Sequence, residues 1–191
     1  MKSSRLRALS SICLLVVLFA SRSFAFDGER RGFILGFGLG FGQTAGVNND
    51  KKIGVITDFK IGHGFSNTTQ IYWTAKSSFF TANDYSGRSR TYLSGCGAIG
   101  VSQFLNQRAP SAYFAGGIGY SSFGKLESDY GDPDYNLGIG FFSGFGYEFS
   151  PHWSLEIDLI AGSPSIARYG YYTDVHLSIW TIKVSVNTLA Y

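Results

Sequence analysis

The chain has 191 residues with 25 glycines, 17% aromatic and 15% charged side chains and a formal charge of +3, against an average usage of about 7% Gly and about 25% charged residues. A hydrophobic content of 45% excludes intrinsic disorder, and four prolines without a Gly-X-Y period exclude collagen. The length suits one domain.

The positive charge sits at the front. Lys2, Arg5 and Arg7 precede an apolar run from Ile12 to Ala20, and Ser23-Phe24-Ala25 supplies a small-x-small cleavage pattern. Charged start, short apolar run and cleavage site together predict a secretory signal over residues 1–25, exported by the Sec pathway, with a mature domain over 26–191. The run is shorter than the roughly 20 residues of a membrane helix. Without the Lys2, Arg5, Arg7 and Arg22 side chains, 12 basic residues remain against 13 acidic ones, so nothing points to nucleic acid. Cys96 is then the only mature cysteine, which allows no internal disulfide and leaves it a small interior side chain.

Beyond residue 25 the dominant period is two. In the first segment, 32–42, Phe33, Leu35, Phe37, Leu39 and Phe41 leave one face and Gly36, Gly38, Gly40 and Gly42 the other. In the second, Ile53, Val55, Phe59 and Ile61 oppose Gly54, Asp58, Lys60 and Gly62; in the third, Ile71, Trp73 and Ala75 oppose Gln70, Thr74 and Lys76. The fourth, 91–105, has Leu93, Ile99 and Val101 on a face interrupted by Gly95 and Gly97. The fifth sets Ala112, Phe114, Ile118 and Tyr120 against Ser111, Gly117, Gly119 and Ser121. The sixth sets Leu137, Ile139, Phe141, Phe145 and Tyr147 against Gly138, Gly140, Gly144, Gly146 and Glu148. The seventh sets Trp153, Leu155, Ile157 and Leu159 against Ser154, Glu156 and Asp158. In the eighth, Val175, Leu177 and Ile179 hand over to Trp180, Ile182, Val184 and Val186, a parity change read as a β-bulge or a strand boundary.

Long polar connections (43–51, 81–90, 122–135, 163–174) alternate with short ones (66–69, 106–110, 150–152). An even strand number with this long-short rhythm predicts an all-β fold, an eight-stranded antiparallel up-and-down transmembrane β-barrel with short periplasmic turns and long extracellular loops. Closure is what lets a sheet cross hydrocarbon, because it pairs every backbone N–H and C=O. A soluble sandwich or lipocalin-like barrel shares the period. Its outer face would carry solubilising charge, whereas the less greasy face here is mostly Gly and Ser, as the crowded interior of a narrow barrel requires. Phe65, Phe149 and Trp153 beside the short turns, and Phe41, Phe79, Tyr120 and Phe123 beside the long loops, read as two aromatic girdles.

With the opening Arg31-Gly32-Phe33-Ile34-Leu35-Gly36-Phe37-Gly38, the Gly-Tyr-Glu-Phe-Ser-Pro-His-Trp-Ser-Leu-Glu stretch at 146–156 and an aromatic Tyr191 closing the last strand, the mature chain resembles the small eight-stranded outer-membrane barrels of Gram-negative bacteria, the class of the outer membrane protein A transmembrane domain, OmpX and the opacity-type adhesins. The resemblance implies an outer-membrane location among lipid and lipopolysaccharide, and insertion by the barrel assembly machinery with Tyr191 as part of the assembly signal. Tyr191 departs from the commoner Phe, and Ser185 and Asn187 break the apolar alternation counted back from it.

The inward face carries Asp58, Lys60, Lys76, Glu148, Glu156, Asp158 and Lys183. Charges inside a narrow barrel cost desolvation unless paired, so these seven predict an ion-pair network, with Lys76 near Asp58 and Lys60 and with Lys183 on the face of Glu156 and Asp158. The alternative is a narrow pore. His176-Leu177-Ser178, with Asp174 on the same parity, is the one arrangement comparable with the His-x-Ser of outer-membrane lipid A deacylases; its surroundings otherwise differ, and the expectation is no catalysis and no cofactor or metal. Tyrosines and acidic residues in the loops at 122–135 and 163–174 suit contact with an extracellular protein or glycan, and the acidic loop could hold a divalent cation. The reading is a monomeric barrel with a structural or surface-interaction role.

Overall fold

The computed structural model describes residues 29–46, 51–83, 87–126, 135–166, 175–176 and 178–191, with backbone alone for Tyr135, Ile166, Val175 and His176. The export segment 1–25, Asp174, Leu177 and the tips of the loops at 122–135 and 163–174 lie outside them. Among the described residues nine strands follow in chain order: β1 (Gly32–Ala45), β2 (Lys51–Gly64), β3 (Thr69–Asn83), β4 (Ser89–Phe104), β5 (Ser111–Lys125), β6 (Tyr135–Ser150), β7 (Trp153–Ile166), β8 (Val175–His176) and β9 (Ile179–Ala190). Consecutive long strands pair antiparallel from β1 to β7, and β9 pairs with both β7 and β1. The eight long strands therefore close into a barrel with no free edge. Each is at least as long as the 9–11 residues needed to cross a bilayer at a tilt.

The faces divide as the period of two requires. Leu39 (66% exposed), Phe41 (69%), Ile53 (75%) and Ile139 (73%) point outward with the other large apolar residues of their strands. The inward face holds Ile34, Ile56, Tyr72 and Phe142 among buried Ser, Thr, Asn, Asp, Glu and Lys side chains. An exterior this apolar over a polar interior inverts the soluble barrel and matches one surrounded by hydrocarbon.

Glycine sets the bore. A Cβ on Gly40 would lie 2.0 Å from the carbonyl oxygen of Val184 in β9, so the β1–β9 seam can approach as it does only without a side chain there. The break that Gly97 makes in the outer face of β4 is covered by the ring of Tyr120 on β5, which occupies the place a Cβ would take.

One open alternative is settled and two expectations change. The parity change in the last segment is a boundary: Val175 and His176 pair separately with Ile166 and Ser165 of β7, and β9 opens at Ile179, which already points inward with Thr181 and Lys183. The register irregularity falls instead between Glu148 and Ser150, where β6 turns into β7. Phe123 does not belong to the outer girdle. It shares the inward alternation of Ser121 and stacks on Tyr92, with ring centroids 5.8 Å apart. Strands also run further into the connections than their apolar residues suggest: β1 continues to Ala45, β3 to Asn83, β5 to Lys125 and β7 to Ile166, because backbone pairing persists where the alternation fades.

Candidate functional site

Six of the seven inward charges meet at the middle of the lumen, three lysines against three carboxylates. Asp58 and Lys76 are cross-strand partners on β2 and β3, and Asp158 and Lys183 are partners on β7 and β9. Period two then aims all four into the barrel. Lys76 Nζ donates to Asp158 Oδ2 at 2.6 Å and to Glu156 Oε1 at 2.7 Å, and lies 3.9 Å from Asp58 Oδ2. Lys183 Nζ donates to Asp58 and, at 2.8 Å, pairs with Asp158. Lys60 Nζ donates to Glu156 Oε2 at 2.6 Å. All six are buried.

Neutral groups add to the shell, in which Asp58 Oδ1 and Asp158 Oδ1 stay buried without a hydrogen-bond partner among the described residues. Tyr113 donates to Glu156 Oε2 at 2.8 Å and Ser185 to Asp58 Oδ2 at 3.0 Å. Lys60 stands 5.3 Å from the Tyr72 ring centroid and Lys76 4.8 Å from that of Phe142, so each ammonium has an aromatic face as well as carboxylates. Space for these long side chains comes from glycine: a Cβ on Gly144 would lie 1.7 Å from Asp158 Oδ1, and one on Gly38 would lie 1.9 Å from Asn187 Oδ1. On the long-loop side, Thr44 is hydrogen-bonded to Thr181 at 2.8 Å and to Ser78 at 3.0 Å.

Asp58, Glu156 and Asp158 bring oxygens within 4.8 Å of one another, a spacing that would suit a metal ion. Lysine ammoniums supply the positive charge at that spot, so the residues present do not fit a metal.

The seventh charge stands apart. Glu148, at the turn end of β6, accepts hydrogen bonds from Arg30 Nε at 2.8 Å, from Arg30 Nη2 and from the Tyr191 hydroxyl. Arg30 lies before β1, buried, with its guanidinium 4.0 Å from the Phe104 ring centroid, and its Nη1 donates to the carbonyls of Asn67 (2.8 Å) and Asn106 (2.7 Å) in two different turns. Tyr191 follows β9 and is buried on the inward alternation of Ser185 and Asn187. The uninterrupted apolar alternation in this strand is that of Trp180, Ile182, Val184 and Val186, one position out of step with Tyr191. His152 in the β6–β7 turn, at a φ of 72°, donates from its backbone N to the Tyr191 hydroxyl (3.3 Å) and from Nδ1 to the Leu189 carbonyl (2.9 Å). Burial first, and then the hydrogen bond to Glu148, push the Tyr191 phenol above the usual tyrosine range.

Between this clasp and the ion network lies a cavity of about 10 Å³, bordered by Lys60, Gln70, Tyr113 and Glu148, room for about one water. Sequence reasoning missed Arg30, which precedes the first alternating segment and has no parity to read. It also missed Tyr72 and Tyr113, which were legible on the inward alternation of β3 and β5. Ser178 is exposed, and the backbone of His176 pairs with Ser165; the His176 side chain lies outside the described residues.

No protein-family model and no curated protein matches the sequence. Solved structures do match. The chain is similar in fold to Neisserial surface protein A, with a TM-score of 0.56 and 10% identity over 82% of this chain and 96% of that one. It is also similar to Ail, the attachment invasion locus protein of Yersinia pestis, in complex with the heparin analogue sucrose octasulfate, with a TM-score of 0.53 and 9% identity over 83% of this chain and 99% of that one. In fold the chain is, like them, a small closed eight-stranded antiparallel β-barrel, with an apolar exterior that suits hydrocarbon surroundings.

Proposed function

We propose that this chain is an integral outer-membrane protein whose barrel is a non-conducting, non-catalytic scaffold and whose long-loop end serves surface interaction. The observation that carries the reading is the ion network: Lys76 on β3 bonds to Glu156 and Asp158 on β7, the strand on the opposite wall. Side chains thus bridge the bore that a pore would need open, and eight strands leave room for little else. Recognition is then left to the loops, where rigid scaffolds commonly carry it. Fold neighbours called a surface protein and an attachment invasion protein, the second holding a sulfated sugar, agree with that assignment.

Lipid and lipopolysaccharide surround the barrel in this reading, the barrel assembly machinery inserts it with the β9–Tyr191 region as its signal, and it acts as a monomer. A catalytic role for His176 and Ser178 draws no support from a serine that is exposed, and lipid A of unchanged mass in cells with and without the protein is the expected result. The functional test is adherence. Shortening the loop within 167–174 should abolish binding of expressing cells to their target surface while the barrel keeps its heat-modifiable mobility. Undiminished adherence, with envelope fragility on deletion of the whole protein, would replace the interaction role with a structural one.

A further inference from the structure

β1 and β9 are the first and last of the long strands, so no single turn or loop bridges the seam between them, and its pairings are those of widest sequence separation. Closing it orders the most chain for the bonds gained. The inward positions of β1 that face β9 are Gly36, Gly38, Gly40 and Gly42, so over this stretch no inward side chain of β1 reaches across. On the outward face at the turn end, Leu35 and Phe37 meet only the small Ala190 and Thr188. Toward the loops the seam has its own fastening: Thr44 is bonded at 2.8 Å to Thr181, its partner on β9.

At the turn end the fastening comes from outside the ladder. Arg30, just before β1, donates to Glu148 Oε2, and Tyr191, just after β9, donates to Glu148 Oε1. One carboxylate on β6, a strand that takes no part in the seam, thus receives both of its sides. Each side has a second tie to the turns. Arg30 Nη1 donates to the carbonyls of Asn67 and Asn106, and Leu189 N donates to the His152 carbonyl at 2.9 Å. A buried carboxylate that loses its cation is costly, so the grip on one side depends on the other.

We propose that Glu148 is the latch of the β1–β9 seam, a conformational device that holds the turn end of this seam shut and whose release opens the barrel there while the other ladders stay paired. The latch supplies what the glycine face of β1 cannot, a side-chain tie between the two sides of the seam. Seam and latch form one unit, with Thr44 and Thr181 as the fixed end and the Arg30–Glu148–Tyr191 group as the end that releases.

The test is backbone hydrogen exchange of the refolded full chain in detergent micelles, followed by mass spectrometry on peptides from the turn-end halves of β1 and β9 and, for reference, from β3 and β4. In Glu148→Gln, exchange around Leu35 to Phe37 and around Thr188 to Ala190 should quicken about tenfold, a change of about 1.4 kcal/mol in local opening, with the β3–β4 ladder unchanged. Arg30→Gln should give the same pattern. Added to Glu148→Gln it should quicken exchange little further, because both act through one contact. Lys76→Met, which weakens the middle of the lumen, should instead quicken exchange in β3 as well as at the seam. Leu35 and Ala190 are cross-strand partners, and the spacing of such a pair suits a disulfide. Leu35→Cys with Ala190→Cys, oxidised, should therefore return Glu148→Gln to wild-type exchange. Where Glu148→Gln alone does not refold, the stapled form is the variant tested: folding with wild-type exchange supports the latch, and failure to fold overturns it. Equal quickening in every ladder, unchanged exchange at the β1–β9 seam, or a staple that leaves the Glu148→Gln pattern as it was would also overturn it.

Discussion

Lys76 and Asp158 are joined at 2.6 Å although β3 and β7 stand on opposite walls of the barrel. Lys76 also faces Asp58 directly across the β2–β3 ladder, yet its ammonium lies 3.9 Å from that carboxylate. The lysine therefore reaches across the bore, and its length matches the width that eight strands leave. Asp58 instead accepts from Lys183 and Ser185 on β9, both through Oδ2.

Removing one member should be costly, because the partners stay buried and charged. Lys76→Met is expected to destabilise the barrel by about 3–5 kcal/mol, measured by urea unfolding in lipid vesicles followed by tryptophan fluorescence. The double variant Lys76→Met with Asp158→Leu should lose less than the sum of its single variants, since the second change removes a carboxylate left short of its cation. Additive losses would mean that the two groups do not interact.

A bore bridged by side chains should not conduct. In planar bilayers the purified protein is expected to give no stable, reproducible conductance steps, and large uniform steps would show that the network is not the resting arrangement.

The strand glycines differ in what they allow, Gly40 on the inward alternation of β1 and Gly116 on the outward alternation of β5, and substitution should separate them. Gly40→Ala would bring a methyl group to 2.0 Å from the Val184 carbonyl at the β1–β9 seam, while on Gly116 a Cβ would meet only the Phe142 carbonyl oxygen, at 3.5 Å. Gly40→Ala should therefore sharply reduce the heat-modifiable fraction after refolding, and Gly116→Ala should leave it near wild type.

At the turn end, Glu148 holds Arg30 on one side and Tyr191 on the other, tying the segment before β1 and the residue after β9 to β6. Glu148→Gln weakens two charge-assisted contacts and should cost about 1.5–3 kcal/mol, the usual range for a hydrogen bond to a charged group. Tyr191→Phe should cost less, because the ring contact with His152 at 4.7 Å remains. A lower temperature for loss of the folded gel band is the readout for both.

Sequence alone carried the fold because alternation is a direct projection of the pleat: Phe33, Leu35, Phe37 and Leu39 against Gly36, Gly38 and Gly40 can be read without knowing any partner strand. The candidate site was half legible for the same reason. Parity placed Asp58, Lys60, Lys76, Glu156, Asp158 and Lys183 inside, and adjacent strands gave Lys76 near Asp58 and Lys60 and Lys183 on the face of Glu156 and Asp158, without choosing the pairs. It could not give the contact between Lys76 and Asp158, which depends on how the closed sheet sets opposite walls, nor Arg30, whose position is fixed by the carbonyls of two turns. Phe123 was misassigned to the outer girdle because an aromatic near a strand end looks alike on either face until the parity of its own strand is carried through to it.

The central claim is a closed barrel in the outer membrane, and cell fractionation combined with gel mobility before and after boiling tests it most directly. The account requires recovery with the outer-membrane fraction and a folded band that shifts on heating, as a barrel resistant to detergent does. Recovery in the soluble periplasm, or a single band unchanged by boiling, would contradict it.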